Sequence, residues 1–131
     1  MAGSRVANKL PSGFGSILLA VVPSFNLNAT GDTLVPLVDT PTKFRVRAVA
    51  MTNGSINPTT ARFSLQTAAA AGGTAIVSTV TPSLASAAVV QDLSIASTNA
   101  FSQQVLYLNV SVAQGAAATA DIYIYGDVYT A

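Results

Sequence analysis

Chemistry at a protein site needs nucleophiles, proton carriers, metal ligands or fixed charges, and this 131-residue chain holds few of them. It has no histidine, cysteine, tryptophan or glutamate. Composition therefore excludes imidazole proton transfer, thiolate attack, the usual zinc ligand sets and a disulfide framework. The carboxylates are Asp32, Asp39, Asp92, Asp121 and Asp127, and none stands at a recognised acid/base or metal-loop spacing. Gly31-Asp32 and Gly126-Asp127 read as turns rather than calcium ligands. Gly72-Gly73-Thr74 lacks the lysine and the helix that a phosphate loop needs. Lys43 could in principle activate a serine, but it belongs to an alternating charged strand face and no local spacing supports the pairing. Asn28-Ala-Thr30, Asn53-Gly-Ser55 and Asn109-Val-Ser111 fit the glycosylation pattern, matches that a Ser/Thr-rich chain produces by chance. Asn53-Gly54 is explained as turn chemistry. The reading is of a protein that is not an enzyme, with no cofactor, metal or small-molecule substrate.

The charges that exist are sparse and segregated. A folded monomer of 13.3 kDa exposes roughly 6,500 Å², so six cations and five carboxylates leave about one charge per 600 Å². That spacing matches the largest apolar patch a soluble monomer tolerates. All six cations, Arg5, Lys9, Lys43, Arg45, Arg47 and Arg62, lie in the first half of the chain, and Asp92, Asp121 and Asp127 lie in the second. Membrane classes are not expected. The longest aliphatic run, Ile17 to Val22, is far short of the roughly 18 to 20 residues of a spanning helix. Arg5 and Lys9 before Phe14 imitate a secretory leader, but Pro11-Ser12-Gly13 interrupts the join and no small-x-small cleavage site follows.

The elements that must position these residues are strands. Segments rich in β-branched and aromatic residues, separated by turn chemistry, predict about eight of them, with no stretch of helical period. They are Ser16–Val22, Thr33–Val38, Lys43–Thr52, Thr59–Thr67, Thr74–Val80, Ala88–Ile95, Val105–Val112 and Ala117–Tyr125. Pro36 marks an edge or irregular strand. Ala68 to Ala71 reads as a loop or strand end, because four residues before Gly72-Gly73 cannot repay helix nucleation. The fold class is all-β: a single antiparallel β-sandwich or jelly-roll-like barrel over 15–131, preceded by an extended, mobile arm over 1–14.

Period-two alternation assigns faces. Lys43, Arg45 and Arg47 face one way and Phe44, Val46, Ala48 and Ala50 the other; Ala61, Phe63 and Leu65 oppose Thr60, Arg62, Ser64 and Gln66. These two segments read as one hairpin with a wet side. Val105–Val112 and Ala117–Tyr125 read as a second hairpin, on which Tyr107, Tyr123, Tyr125 and Tyr129 either pack into the core of a two-sided sandwich or form an aromatic strip on the outer face for an intersubunit contact. If the charged strand and the last strand share a sheet, Asp121 can pair with Arg45 or Arg47. Direct nucleic-acid binding is not expected. The net charge is only +1, and the tyrosines that could stack on bases lie in the half without cations.

Lys43-Phe-Arg-Val-Arg47, Ala71-Gly-Gly-Thr-Ala-Ile-Val77, Leu106-Tyr-Leu-Asn-Val110 and the run Gln114 to Gly126 resemble small β-rich virion proteins of tailed bacteriophages, over about two thirds of the chain. The resemblance implies a capsid decoration, or cement, protein. Such a protein binds the major capsid protein on the outer surface of the head between capsomers, often as a homo-trimer, and reinforces the shell after assembly in the host cytoplasm. On that reading Met1 to Phe14 binds the shell, and the candidate interface residues are Arg5, Lys9, Phe14, Lys43, Arg45, Arg47, Arg62, Tyr107, Tyr123 and Tyr125. A tail, fibre or neck component is the alternative within virions. A carbohydrate- or receptor-binding sandwich using Tyr107, Tyr123 and Tyr125 as a stacking platform is the alternative outside them.

Overall fold

The computed structural model describes residues 13–38, 43–82 and 89–129. Among the described residues eight strands run in chain order: β1 (Gly13–Asn26), β2 (Gly31–Pro36), β3 (Lys43–Thr52), β4 (Arg62–Gln66), β5 (Ala75–Val80), β6 (Gln91–Leu93), β7 (Val105–Val112) and β8 (Thr119–Tyr129). Their antiparallel pairing is nested, first with last: β1 with β8, β2 with β7, β3 with β6 and β4 with β5. Strand β8 also pairs with β3, and β7 with β4. The result is two four-stranded sheets, β1-β8-β3-β6 and β2-β7-β4-β5. One long hairpin folded over into two sheets is a jelly roll, and the all-β sandwich expected from the sequence is the fold observed. No helix among the described residues is long and apolar enough to cross a membrane.

Both hairpins read from the alternation are corrected. Strands β3 and β4 lie in different sheets, as do β7 and β8. A strand with one wet face alternates identically whether the next strand pairs beside it or crosses to the opposite sheet, and the sheets are only about 10 Å apart. Of the strands adjacent in sequence, only β4 and β5 pair with each other. The core lies between the inner faces. Phe44, Val46, Val49, Met51, Ile122 and Ile124 on the first sheet face Val35, Phe63, Leu65, Ile76, Leu106 and Leu108 on the second, all buried. Phe25 and Phe63 meet edge to face across the sandwich, ring centres 5.6 Å apart.

Bulges in β3 and β1 change which residues face the core. In β3 the register shifts between Val46 and Ala48, leaving Arg47 as the additional residue. The inward set is therefore Phe44, Val46, Val49 and Met51, while Ala48, expected inside, is exposed and Ala50 half-buried. In β1 the strand passes through Pro23 instead of ending there. A register shift between Val22 and Phe25 absorbs the residue that cannot donate, with Ser24 at φ 51°. The Ser24 N–H is satisfied by Asp121 Oδ1 at 2.8 Å.

The outer face of the second sheet is covered in part by the β4–β5 connection. Ala69–Ala71 forms a short 3-10 turn, with Ala70 and Ala71 in left-handed conformations, where a loop or strand end was expected. Asp32 holds it, accepting from Ala70 N–H and Asn109 Nδ2, each at 2.8 Å. Ser64 and Gln66 are buried, although their alternation predicts a wet face. The Asn109 amide, followed by the Ala70 N–H, lowers the Asp32 pKa below its usual value of 3.8. A group depressed in the folded state contributes stability above its unfolded pKa and loses it as pH falls through the folded one. Asp32→Asn is therefore expected to narrow the stability difference between neutral pH and about pH 3. Denaturation midpoints at the two pH values check this; an unchanged difference contradicts it.

Candidate interface on the first sheet

The outer face of β1-β8-β3-β6 carries five of the ten candidate interface residues, Lys43, Arg45, Arg47, Tyr123 and Tyr125, and antiparallel register sets them in rows. Lys43 lies opposite Tyr129, and Arg45 opposite Asp127. Leu18, Tyr125 and Ala48 form the next row; Val21, Tyr123, Ala50 and Asp92 form the one after. Asp121 opposite Thr52 ends the face. The middle rows are thus apolar, with half-buried tyrosines flanked by exposed Leu18 and Val21 on the edge strand and small alanines on β3. Among the described residues the charges of this face stand around that centre, with Lys43, Arg45, Arg47 and Asp127 at one end, Asp121 at the other and Asp92 on the edge strand β6. An apolar centre with aromatic residues inside a polar rim is the anatomy of a protein interface.

The basic margin is built around one carboxylate. Asp127 is fully buried. Its Oδ2 accepts from Arg45 Nε at 2.9 Å and from Arg45 Nη2, and Arg47 Nη1 lies 3.4 Å away. The bulge brings Arg47 onto the same carboxylate as Arg45. Gly126, next to Asp127, makes the close approach possible, since a Cβ there would stand 1.9 Å from the Arg45 carbonyl oxygen. Gly126-Asp127 lies inside β8 and is not a turn.

Asp121 was the expected partner of these arginines, and that expectation is corrected. Strands β3 and β8 do share a sheet, but antiparallel register carries Asp121 to the far end, opposite Thr52. There it accepts from Ser24 N–H and, at 3.1 Å, from Asn53 Nδ2. It thereby fixes two residues with positive φ. The tyrosine strip is also divided. Tyr123 and Tyr125 share the first sheet, whereas Tyr107 lies on β7 of the second, opposite Leu34 and Gln66, so the three make no common stacking platform. Arg62 stands at the start of β4, also on the second sheet. Arg5 and Lys9 lie outside the described residues; Phe14 falls within β1, which begins at Gly13.

No family model matches the chain, and no curated protein or solved structure matches it. Among the described residues no three His, Cys, Asp or Glu side chains gather where a metal ion could sit. A cleft of about 290 Å³ opens between the edge strands β5 and β6, lined by Val77 to Val80 and Gln91 to Ala96, with Asp92 its sole charge. A smaller one of about 210 Å³ lies beside Arg45, Arg47, Ile95 and Thr98. Neither brings together groups for acid/base or nucleophilic chemistry.

One end of the sandwich is stitched by neutral side chains to which the sequence assigned no such role. Gln114 Oε1 accepts from three successive backbone N–H groups, Thr59, Thr60 and Ala61, at 3.1, 3.0 and 2.9 Å. Asn28 Oδ1 accepts from Gly115 N–H, and Ser55 Oγ from Thr119 N–H. These bonds tie the loops after β1, β3 and β7 to one another, holding the strand ends that carry the face in register.

Proposed function

We propose that the chain is a structural virion protein that decorates the outer surface of a phage head, binding the major capsid protein and reinforcing the shell as a homo-oligomer. The observation that carries this reading is the outer face of the first sheet: a rigid, apolar-centred, charge-rimmed surface on a chain otherwise poor in charge. The fold is one that viral capsid domains use, and the motifs quoted above resemble small phage virion proteins. A cementing role asks for burial and not for chemistry. A rigid β scaffold loses little conformational entropy on docking, so a larger share of the contact energy reaches the shell. Arg5, Lys9 and Phe14 supply the shell contact in this reading, while Lys43, Arg45, Arg47, Tyr123 and Tyr125 supply contacts between proteins.

Gradient-purified virions of the phage that encodes the chain test the proposal. The chain is expected to copurify with DNA-filled heads in numbers proportional to the major capsid protein, and heads lacking it should release DNA on milder heating. Copies confined to detached tails would move the assignment to the tail or neck. Absence from the particle would end the virion reading.

A further inference from the structure

The outer face of the first sheet is self-complementary, and we propose that a second copy of this chain covers it in a face-to-face, two-fold dimer. The inference rests on charge and register and stands whether or not the virion assignment holds. Along β8, Asp127 and Asp121 lie three residues to either side of Ile124, about 10 Å each way. The end at Asp127 carries Lys43, Arg45 and Arg47; three cations less one carboxylate leave +2. The other end carries Asp121 and, one row from the middle, Asp92, together −2. The two ends therefore balance, with Leu18, Val21, Tyr123, Tyr125, Ala48 and Ala50 between them.

A two-fold axis lying in the face and running across the strands, through Ile124 and its neighbour Val49, turns the basic end of each copy onto the acidic end of the other. It exchanges the Tyr123 and Tyr125 rows, so the aromatic centres meet. Arg47, at the bulge beside the Tyr125 row, then comes over the row of the partner's Asp92, which pairs with Ala50 one strand away. Arg45 comes over the end holding the partner's Asp121. An axis along the strands would instead stack like charges, which opposes association. Complementarity thus selects one of the two in-plane arrangements. Because the same patch is used on both copies, the contact closes at two. The repeating unit is a dimer, where the resemblance implied a trimer.

Sedimentation velocity of the full chain over a range of concentrations tests the proposal. The expected species has twice the 13.3 kDa chain mass and dissociates more readily as salt rises. Arg47→Glu and Asp92→Arg should each raise the dissociation constant by roughly ten-fold or more, and the double variant should recover most of the loss. Asp92 is exposed and does not touch Asp127, so its variant keeps the test decisive if Arg47→Glu unfolds. Unchanged thermal midpoints establish that the variants are folded. A chain that stays monomeric, a trimer, or a dimer indifferent to both reversals overturns the proposal.

Discussion

Gly126→Ala is expected to destabilise the fold by about 3 kcal/mol, near the upper end of what overpacking costs. Gly126 pairs with Val46 at the point where the Arg47 bulge interrupts β3. An added Cβ would stand 1.9 Å from the Arg45 carbonyl oxygen and 2.9 Å from Leu19 Cδ1. The first of these neighbours is backbone and cannot rotate aside. Relief requires β3 to move away from β8, which weakens the central ladder of the first sheet and draws Arg45 from Asp127. The effect comes from close approach and not from backbone conformation, because Gly126 is not among the glycines with positive φ. Urea denaturation should show the midpoint falling while the slope is kept. A change below about 0.5 kcal/mol, the level of an ordinary surface substitution, would mean that the two strands are not so closely apposed.

Phe63→Ala should cost more, about 4 kcal/mol. The ring is fully buried on β4 and meets Phe25 of β1 edge to face, so it joins the two sheets rather than lining one of them. Removing it loses the transfer energy of the ring, leaves a cavity among rigid strands that collapse poorly, and strands the Phe25 edge without its partner. A small domain has about 5–15 kcal/mol in total, so the variant should be close to unfolding at 37 °C. Phe63→Leu keeps most of the volume and should cost far less. Equal losses for the two substitutions would contradict a role for the ring in sheet-to-sheet packing.

These two residues also mark how far the sequence could be read. Phe63 was legible as a core residue, because Ala61, Phe63 and Leu65 alternate cleanly and all three are buried. The strand Val105–Val112 was likewise fixed at both ends by its alternation. Gly126 was not legible. Its role depends on a bulge in a strand eighty residues away, and a glycine before an aspartate has the local look of a turn. The same bulge reversed the faces of Ala48 and Val49, since one inserted residue moves every later side chain to the other side.

The candidate interface was half visible for a related reason. Alternation correctly grouped Lys43, Arg45 and Arg47 and set Tyr123 beside Tyr125, because those groupings lie within single strands. Which aspartate meets the arginines, and whether Tyr107 joins the other tyrosines, depend on pairing between strands far apart in sequence. In a jelly roll that pairing is nested, so neighbours in sequence are mostly not neighbours in a sheet. The segregation of cations into the first half and carboxylates into the second is resolved by the fold, which lays the basic strand β3 beside the acidic strand β8.

A cryo-electron-microscopy map of the intact virion, at a resolution that places side chains, tests the central claim most directly. The expected result is the jelly roll on the outer surface of the head with Leu18, Val21, Tyr123 and Tyr125 buried against protein and Arg45 and Arg47 at the rim of the contact. A map in which that face of every copy is open to solvent would contradict it.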